Sequence, residues 1–499
     1  MSSFRESSIV ILDTSRTLVR AGVGLHELLK TPSVELPARV GLRRGVNGAS
    51  HDEPMDAEPS TSAVPDLTST AKVTDYLVGA QLDEALAAGQ EVDVFWPFAD
   101  GDLKDWTQAE AVWKHVLFNQ LGLRRGLMES PVLLSFAPGL SRDTYEGICR
   151  MFFERFNVAG LSIIERPMAQ FFAVTVSGTE PNGVVIDIGH EHTDVTPIYE
   201  SFVVQDAHQT VGYGISDCEQ YLAHLLLSNP SVVNTLSPPD AQLAPDELRA
   251  TLVEVARQVW REGLVKVLAE GEAADIEEEG VTDIAAVVVA GKEKAVIESG
   301  MKKKQNAKAS AAELARAKEI EALDLVTVQF RDKQLTLGKE RHRFCEPLFD
   351  PSLLKAIPGL PRNSSEESIR SLQTAVGHAV SLTEVDARQY IYQGLFVTGE
   401  LTSHIKGLGA ALQARLAPFV LSQIDQQNEV QPKSIRTLRI PDYFAEYRDK
   451  GDGLASFLGS SIVAKIIFVN EPNGRNFVTK ADYAEKGPKA ILGQSASLL

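Results

Sequence analysis

The sequence predicts an α/β protein of two or more lobes, and two observations carry that prediction. At 499 residues the chain exceeds what one hydrophobic core supports. One local pattern also occurs twice: an apolar strand that ends in Asp and turns back into a second strand. It is found at Ile9-Val10-Ile11-Leu12-Asp13 and again at Gly183-Val184-Val185-Ile186-Asp187. A repeated unit of this kind points to an internal duplication, one copy per lobe.

The elements follow in order. After Asp13-Thr14-Ser15 the chain resumes in extended style at Leu18–Val23, so residues 9–23 are predicted to form a β-hairpin. Residues 47–71 are rich in Pro, Ser, Asp and Glu and are expected to be a mobile surface insertion. Trp106 to Gly122 has helical spacing, with Trp106, Val112, Trp113, Val116, Leu117 and Leu121 near one face. Val132–Phe136 is predicted to be a buried strand, followed by a helix over roughly 143–156. The opening pattern then returns at 183–189, with a second arm at Thr193–Tyr199 and a third extended piece at Ser201–Gln205.

Residues 265–323 interrupt this order. Asp275–Glu279 is acidic, and Ala307–Leu323 is rich in Ala, Glu, Lys and Arg, which predicts an exposed helix. Such charge runs are usually solvated faces; the functional alternative is an arm that contacts another protein. A further hairpin is expected from Leu325–Phe330 and Gln334–Leu337 around Arg331-Asp332-Lys333, and a small-residue helix at Gly459–Ala464.

Composition narrows the function. Hydrophobic residues make up 44% and charged residues 23%, as in ordinary globular proteins. A net charge of −18 argues against a broad nucleic-acid footprint or an anionic membrane surface, though not against a local basic patch. Cys149, Cys218 and Cys345 lie far apart with no CxxC pair, which suits a reducing compartment and offers no metal site. Met1–Glu6 lacks the basic start and apolar run of a secretory signal, and no uninterrupted apolar run of about 18 residues is present. An intracellular protein is expected. Lys302-Lys303-Lys304 is better read as a solvated loop than as a nuclear-import signal.

A loop that wraps a triphosphate brings backbone N–H groups close to phosphate oxygens, which favours Gly or a small hydroxyl residue. A carboxylate just after each strand can hold the hydrated divalent cation that neutralises those phosphates. Asp13 and Asp187 stand at that point in the two repeats. An Asp at a strand end is also a common turn residue.

The surroundings of the pair resemble actin and the actin-related proteins over almost the whole chain outside the two insertions. The resemblance rests on Trp96-Pro97, Asp105-Trp106 with Trp113, Ala137-Pro138 and Met151–Val158. It continues through Asp187-Ile188-Gly189 with Thr193 and Val195–Glu200, Gly338–Phe344 with Glu346–Phe349, and Tyr483 through Gly487-Pro488. It implies an actin-like fold, of the actin, Hsp70 and sugar-kinase type, with duplicated mixed-sheet cores. Residues 1–173 with 456–499 would form the smaller lobe and 174–455 the larger. The nucleotide cleft would fall at Asp13, Ser15, Thr17, Asp187, Gly189, Thr193 and Gly399.

The departures from that family make the cleft vestigial. The first loop reads Ser15-Arg16-Thr17, with both expected glycines gone and Arg16 where a phosphate-contacting serine is expected. A Cβ at each glycine position costs on the order of 1 kcal/mol. Arg16 either pairs with a phosphate or fills its place. The second loop carries His190-Glu191-His192; Glu191 would repel a phosphate, and His190 replaces the aspartate that arranges the metal's waters. HxH without other placed ligands reads as turn histidines rather than a zinc site. Arg166 replaces the glutamine that orients the attacking water, and Asp194 the histidine that assists it. Arg cannot accept the water's proton. Thr398-Gly399-Glu400-Leu401-Thr402 keeps one glycine of a pair and projects Glu400 towards the base pocket. No hydrolysis, resident cofactor or metal is expected, and whether ATP is held uncleaved stays open.

Within the family, Ser3–Ile11, Ile186–Asp194 and Ile440–Tyr447 with Phe457-Leu458-Gly459 are most similar to a fungal class found in SWI/SNF and RSC chromatin-remodelling complexes. The resemblance implies a non-catalytic nuclear subunit. It would pair with an actin-related protein 7-like subunit on the HSA helix of the remodeller ATPase, and reach chromatin through the complex. The helix would lie in an apolar groove away from the nucleotide end, lined by Phe172, Phe202, Val463 and Ile466, whose plain alternative is core packing. Two other readings stand beside it: a working ATPase using unfamiliar residues, and a cytoskeletal relative of actin.

Overall fold

The computed structural model describes residues 4–25, 30–44, 71–175, 181–268, 324–358, 370–420, 434–470 and 476–494. The expected 47–71 insertion, apart from Ala71, and the expected 265–323 arm from residue 269 on, with its predicted helix, lie outside them. The first half of the chain forms strands β1 (Val10–Thr14), β2 (Leu18–Val23), β3 (Val34–Pro37), β4 (Val40–Arg43), β5 (Tyr76–Val78), β6 (Val92–Phe95), β7 (Pro131–Phe136) and β8 (Gly160–Glu165). The second half forms β9 (Gly183–Ile188), β10 (Thr193–Tyr199), β11 (Phe202–Val203), β12 (Gln209–Val211), β13 (Val326–Phe330), β14 (Lys333–Leu337), β15 (Leu395–Thr398) and β16 (Val478–Thr479).

Two mixed sheets organise the molecule. The first runs β16-β8-β7-β1-β2-β3; the second runs β11-β10-β9-β15, with β12 also on β10. Each is built around the same unit: an antiparallel hairpin, β1–β2 or β9–β10, whose first strand takes a parallel neighbour, β7 or β15, on its other side. The duplication read in the sequence is therefore present in the topology. All five residues of β1 are buried, and so are all six of β7 and of β8, as expected where both faces of a sheet are covered.

Register fixes the cleft. Asp13 lies beside Arg20 on β2 and Ser135 on β7, while Asp187 lies beside Asp194 on β10 and Thr398 on β15. Each carboxylate thus stands at the carboxyl end of a parallel strand pair, the edge at which open α/β sheets place ligands.

The helices follow the predicted periodicity. Asp105 caps the helix Trp106–Lys114 by accepting from the backbone N–H of Thr107 and Gln108, at 2.8 and 3.0 Å. The helix continues as a wide π-type turn over His115–Gln120. Its Trp113 is fully buried, stacks on Phe98 and donates Nε1–H to Thr14 Oγ1 at 3.0 Å, tying the helix to the end of β1. The predicted helix at 143–156 forms as Arg142–Arg150 with a second wide turn, Met151–Phe156.

One core fills each lobe, and a third apolar cluster joins them, with Ile11 from the first sheet and Val185 and Phe396 from the second. Its centre is a helix pair, Arg166–Phe172 against Ala455–Lys465. Gly459 makes the approach possible, since a Cβ there would lie 1.6 Å from the carbonyl oxygen of Ala169. Among the described residues one helical stretch, Asp452–Asn470, is long and apolar enough to cross a membrane, at mean hydropathy 1.6. Its most apolar window is 72% buried inside the protein, the setting of a core helix. The three cysteines are free and buried, and burial pushes the thiols of Cys149 and Cys345 up to about 12, far from a reactive thiolate.

Candidate functional site

The helix Arg166–Phe172 begins directly after β8, and Pro167 in its first turn costs no hydrogen bond there. That start aims Arg166 at the cleft. Its Nε donates to Asp13 Oδ1 at 3.2 Å, and its Nη1 donates to Asp187 Oδ2. One guanidinium therefore serves the strand-end carboxylates of both sheets. Gln170, one helical turn on, donates Nε2–H to the same Asp187 oxygen at 2.8 Å. Ser456, at the start of the other central helix, donates to Asp13 Oδ1 at 2.7 Å and meets the Ser135 hydroxyl at 3.0 Å. Burial lowers the basicity of Arg166 while Asp13 works the other way, yet an arginine stays protonated. The space between the two carboxylates that a divalent cation would need is taken by this guanidinium, so these residues do not fit a shared ion as they stand.

The first loop closes on itself. The Ser15 hydroxyl accepts from the Leu18 N–H at 3.0 Å and donates to the Leu18 carbonyl at 3.1 Å. Arg16 instead crosses the cleft. Its Nε and Nη2 donate to Asp194 Oδ2 and Oδ1 at 3.1 and 2.9 Å, the two-pronged geometry that makes arginine–carboxylate pairs strong. Its Nη1 donates to the Ala99 carbonyl at 3.0 Å. Gly101, at φ +79°, leaves room for the guanidinium, because a Cβ there would lie 2.8 Å from Nη1. Burial alone would raise the Asp194 carboxyl; the Arg16 hydrogen bonds outweigh it and hold the group below the usual carboxylate range. Thr210 Oγ1 donates to the same carboxylate at 2.5 Å. His208, whose Nδ1 faces Thr196 Oγ1 at 2.9 Å, is pushed down by burial more than the 3.7 Å neighbour Asp194 lifts it, which favours neutral imidazole.

The other expected cleft residues divide into two groups. Thr17, Gly189 and Gly399 line a cavity on one side of the arginines, together with Arg20, Glu191 and Glu400. Gly189 donates its N–H to the His192 carbonyl at 2.9 Å, forming the tight turn after β9. Gly399 sits at φ +112°, with room for no Cβ, since one would lie 2.2 Å from the Ile188 carbonyl oxygen. Thr193 is turned away: it is fully buried and donates to the Tyr213 carbonyl at 3.0 Å. Glu400 does not hang free at the base pocket, because it accepts from Arg261 Nη2 at 3.0 Å. Glu191 is exposed between the half-buried His190 and His192. Among the described residues no group of three or more His, Cys, Asp or Glu side chains could hold a metal.

The arginines split the cleft. The cavity beside Gly189 and Gly399 has about 60 Å³, and the one beyond, walled by Phe98, Pro138, Pro167 and His208, about 170 Å³. Pockets that engulf drug-sized ligands run from about 300 Å³ upward.

At the far end of the same helix the four expected groove residues do come together. Phe172, Phe202, Val463 and Ile466 line an apolar groove of about 330 Å³, with Ile164 and Met168 in its floor. Phe202 is 53% exposed and Ile466 40%, so these two are not core residues. Sequence reasoning did not single out Gln170, Ser456 or Met168. Gln170 and Met168 carried a usable signal in their spacing from Arg166 and Phe172 along one helix.

The Actin family model matches residues 4–494. The SWI/SNF and RSC complexes subunit arp9 of Schizosaccharomyces pombe is 25% identical over 98% of this chain and 99% of its own length. Actin-related protein 2 of the same yeast is 22% identical over 97% of this chain and 98% of its own. Actin-related protein 3 of Oryza sativa subsp. indica is 28% identical over 30% of this chain and 35% of its own. With the duplicated mixed sheets, the paired strand-end aspartates and a family match over nearly its whole length, the chain belongs to the actin family.

Proposed function

We propose that the chain is a non-catalytic, nuclear, actin-related subunit of an ATP-dependent chromatin-remodelling complex of the SWI/SNF or RSC type. It pairs with a second actin-related protein, of the actin-related protein 7 kind, and takes the HSA helix of the remodeller ATPase in its apolar groove. Chromatin is met through the complex. Residues 1–173 with 456–499 serve as one lobe and 174–455 as the other.

The observation that carries the non-catalytic part is Arg166, bonded to both Asp13 and Asp187. Hydrolysis needs a group that accepts the attacking water's proton, and a guanidinium, always protonated and without an acceptor, cannot. Asp194, at the position of the assisting histidine, is itself bound in an ion pair with Arg16. The full-length likeness to a subunit named for SWI/SNF and RSC supports the assignment to such a complex. The groove supports the helix partner, since an amphipathic helix binds by laying anchors at i, i+3, i+4 and i+7 into an apolar channel.

Turnover of radiolabelled ATP by the purified full-length chain, beside Asp13→Ala and Asp187→Ala, tests the first part. No release of phosphate above the buffer blank is expected from any of the three. Turnover by the wild type that vanishes in Asp187→Ala would overturn the reading.

A further inference from the structure

We propose that Arg16 and Arg166 form an internal lock that takes the place of the bridging cation an actin-type cleft would hold, so that the lobes stay closed without nucleotide or divalent ion. The two arginines are struts between the sheets. Arg166 joins Asp13 at the end of β1, in the first sheet, to Asp187 in β9, in the second. Arg16, in the loop between β1 and β2, grips Asp194 of β10 with two hydrogen bonds. Three carboxylates and two guanidiniums thus meet within one cleft. Without Arg166, the pair Asp13 and Asp187 would offer hard oxygen ligands to a divalent cation, which bridges only while bound. A guanidinium tethered to the backbone bridges permanently.

The lock also reaches the groove. Arg166 is the first residue of a helix whose last residue, Phe172, walls the groove, a separation of about 9 Å along the axis. Gln170 between them holds Asp187 as well. This short rod packs closely on its partner helix, where a Cβ on Gly459 would lie 1.6 Å from the Ala169 carbonyl oxygen. Closure at the arginines therefore sets the width of the groove. The groove is preset, and its partner needs no nucleotide signal. Failure to find a remodeller partner would leave the lock itself untouched.

Hydrogen exchange on the full chain tests the lock in two ways. In the wild type, the amides of helix Arg166–Phe172 are expected to exchange at the same rate with and without Mg²⁺-ATP, and with and without Ca²⁺ alone at matched ionic strength. Slowing by either addition would overturn the proposal, and this arm requires no variant to fold. In Arg166→Gln the same amides are expected to exchange about tenfold faster or more, since two buried carboxylates lose their counter-charge. Ca²⁺ is then expected to restore much of that protection and to raise the melting temperature of the variant alone. An Arg166→Gln chain that exchanges like the wild type, or that ignores Ca²⁺, would overturn it. Arg16→Gln should loosen β10 without creating a Ca²⁺ response, because Asp13 and Asp187 keep Arg166; a Ca²⁺ response there counts against the assignment of the ion's place to Arg166.

Discussion

Replacing Arg166 by Met keeps much of the side chain's apolar bulk and removes its charge, leaving Asp13 and Asp187 facing each other. Asp13 is 2% exposed and the Asp187 side chain 15%, so little water reaches either. Removing one partner of a buried ion pair costs about 3–5 kcal/mol, because the stranded charge has no compensation. Here Asp13 keeps the Ser456 hydroxyl and Asp187 keeps Gln170, which places the expected loss near the lower end, about 3 kcal/mol. Against a typical total of about 5–15 kcal/mol that is a large fraction. At about 2–4 °C per kcal/mol for a lobe-sized unit, the melting temperature should fall by roughly 6–12 °C. Urea unfolding followed by circular dichroism reads the change as a shift in midpoint at constant slope. The triple variant Asp13→Asn, Arg166→Met, Asp187→Asn removes the unpaired charges and should recover most of the loss. A single variant within about 1 kcal/mol of the wild type, or a triple variant no more stable than the single, would refute the view that this guanidinium acts as the cleft's counter-charge.

Three further outcomes are expected. Gly459→Val should cost about 1–3 kcal/mol or more by forcing the central helices apart, whereas Gly126→Ala, with nothing within 4 Å of the new Cβ, should melt like the wild type. Ile466→Glu, at a position 40% exposed, should change stability by no more than about 0.5 kcal/mol while abolishing binding of an HSA-helix peptide in fluorescence anisotropy. Burial lowers the pKa of His208 in the folded chain, as it does for His115 and His342, so each contributes stability present above its unfolded value near 6.5 and lost as pH falls through the lower folded value. Urea midpoints should therefore drop between pH 7 and pH 5, and the drop should be shallower in His208→Gln. Asp194, held down by Arg16, keeps its contribution until stronger acid.

Much of the architecture was legible because it is local. The two strand–Asp–turn–strand units read from apolar runs around Asp13 and Asp187 are hairpins at the centres of the two sheets. The substitutions at Arg16, Arg166, Asp194 and Glu400 were also visible one at a time. Their partners were not. Arg166 meets Asp13 across 153 positions and Arg16 meets Asp194 across 178, and no periodicity encodes a pairing at such range. Arg16, expected to pair with a phosphate or fill its place, is committed to the carboxylate at the assisting-histidine position. Glu400, read alone as a charge spoiling the base pocket, is neutralised by Arg261 from a helix 139 positions away. Thr193 carries the right residue type for a phosphate loop, but alternation along β10 turns it into the core, where its hydroxyl finds the Tyr213 carbonyl. The four groove residues could be grouped from the sequence because Phe172, Val463 and Ile466 stand on helices and Phe202 on the strand that follows β10, and the structure brings them around one cavity.

If the groove is the working surface and serves a chromatin remodeller, blocking it should separate the chain from the remodeller ATPase. Purification of the tagged full-length chain from nuclear extract, beside a Phe202→Glu, Ile466→Glu variant, with the recovered proteins identified by mass spectrometry, tests it most directly. A remodeller ATPase and a second actin-related protein should accompany the wild type, and the ATPase should be lost from the variant. Recovery of the wild type without any remodeller ATPase would mean that the chain is not a remodeller subunit.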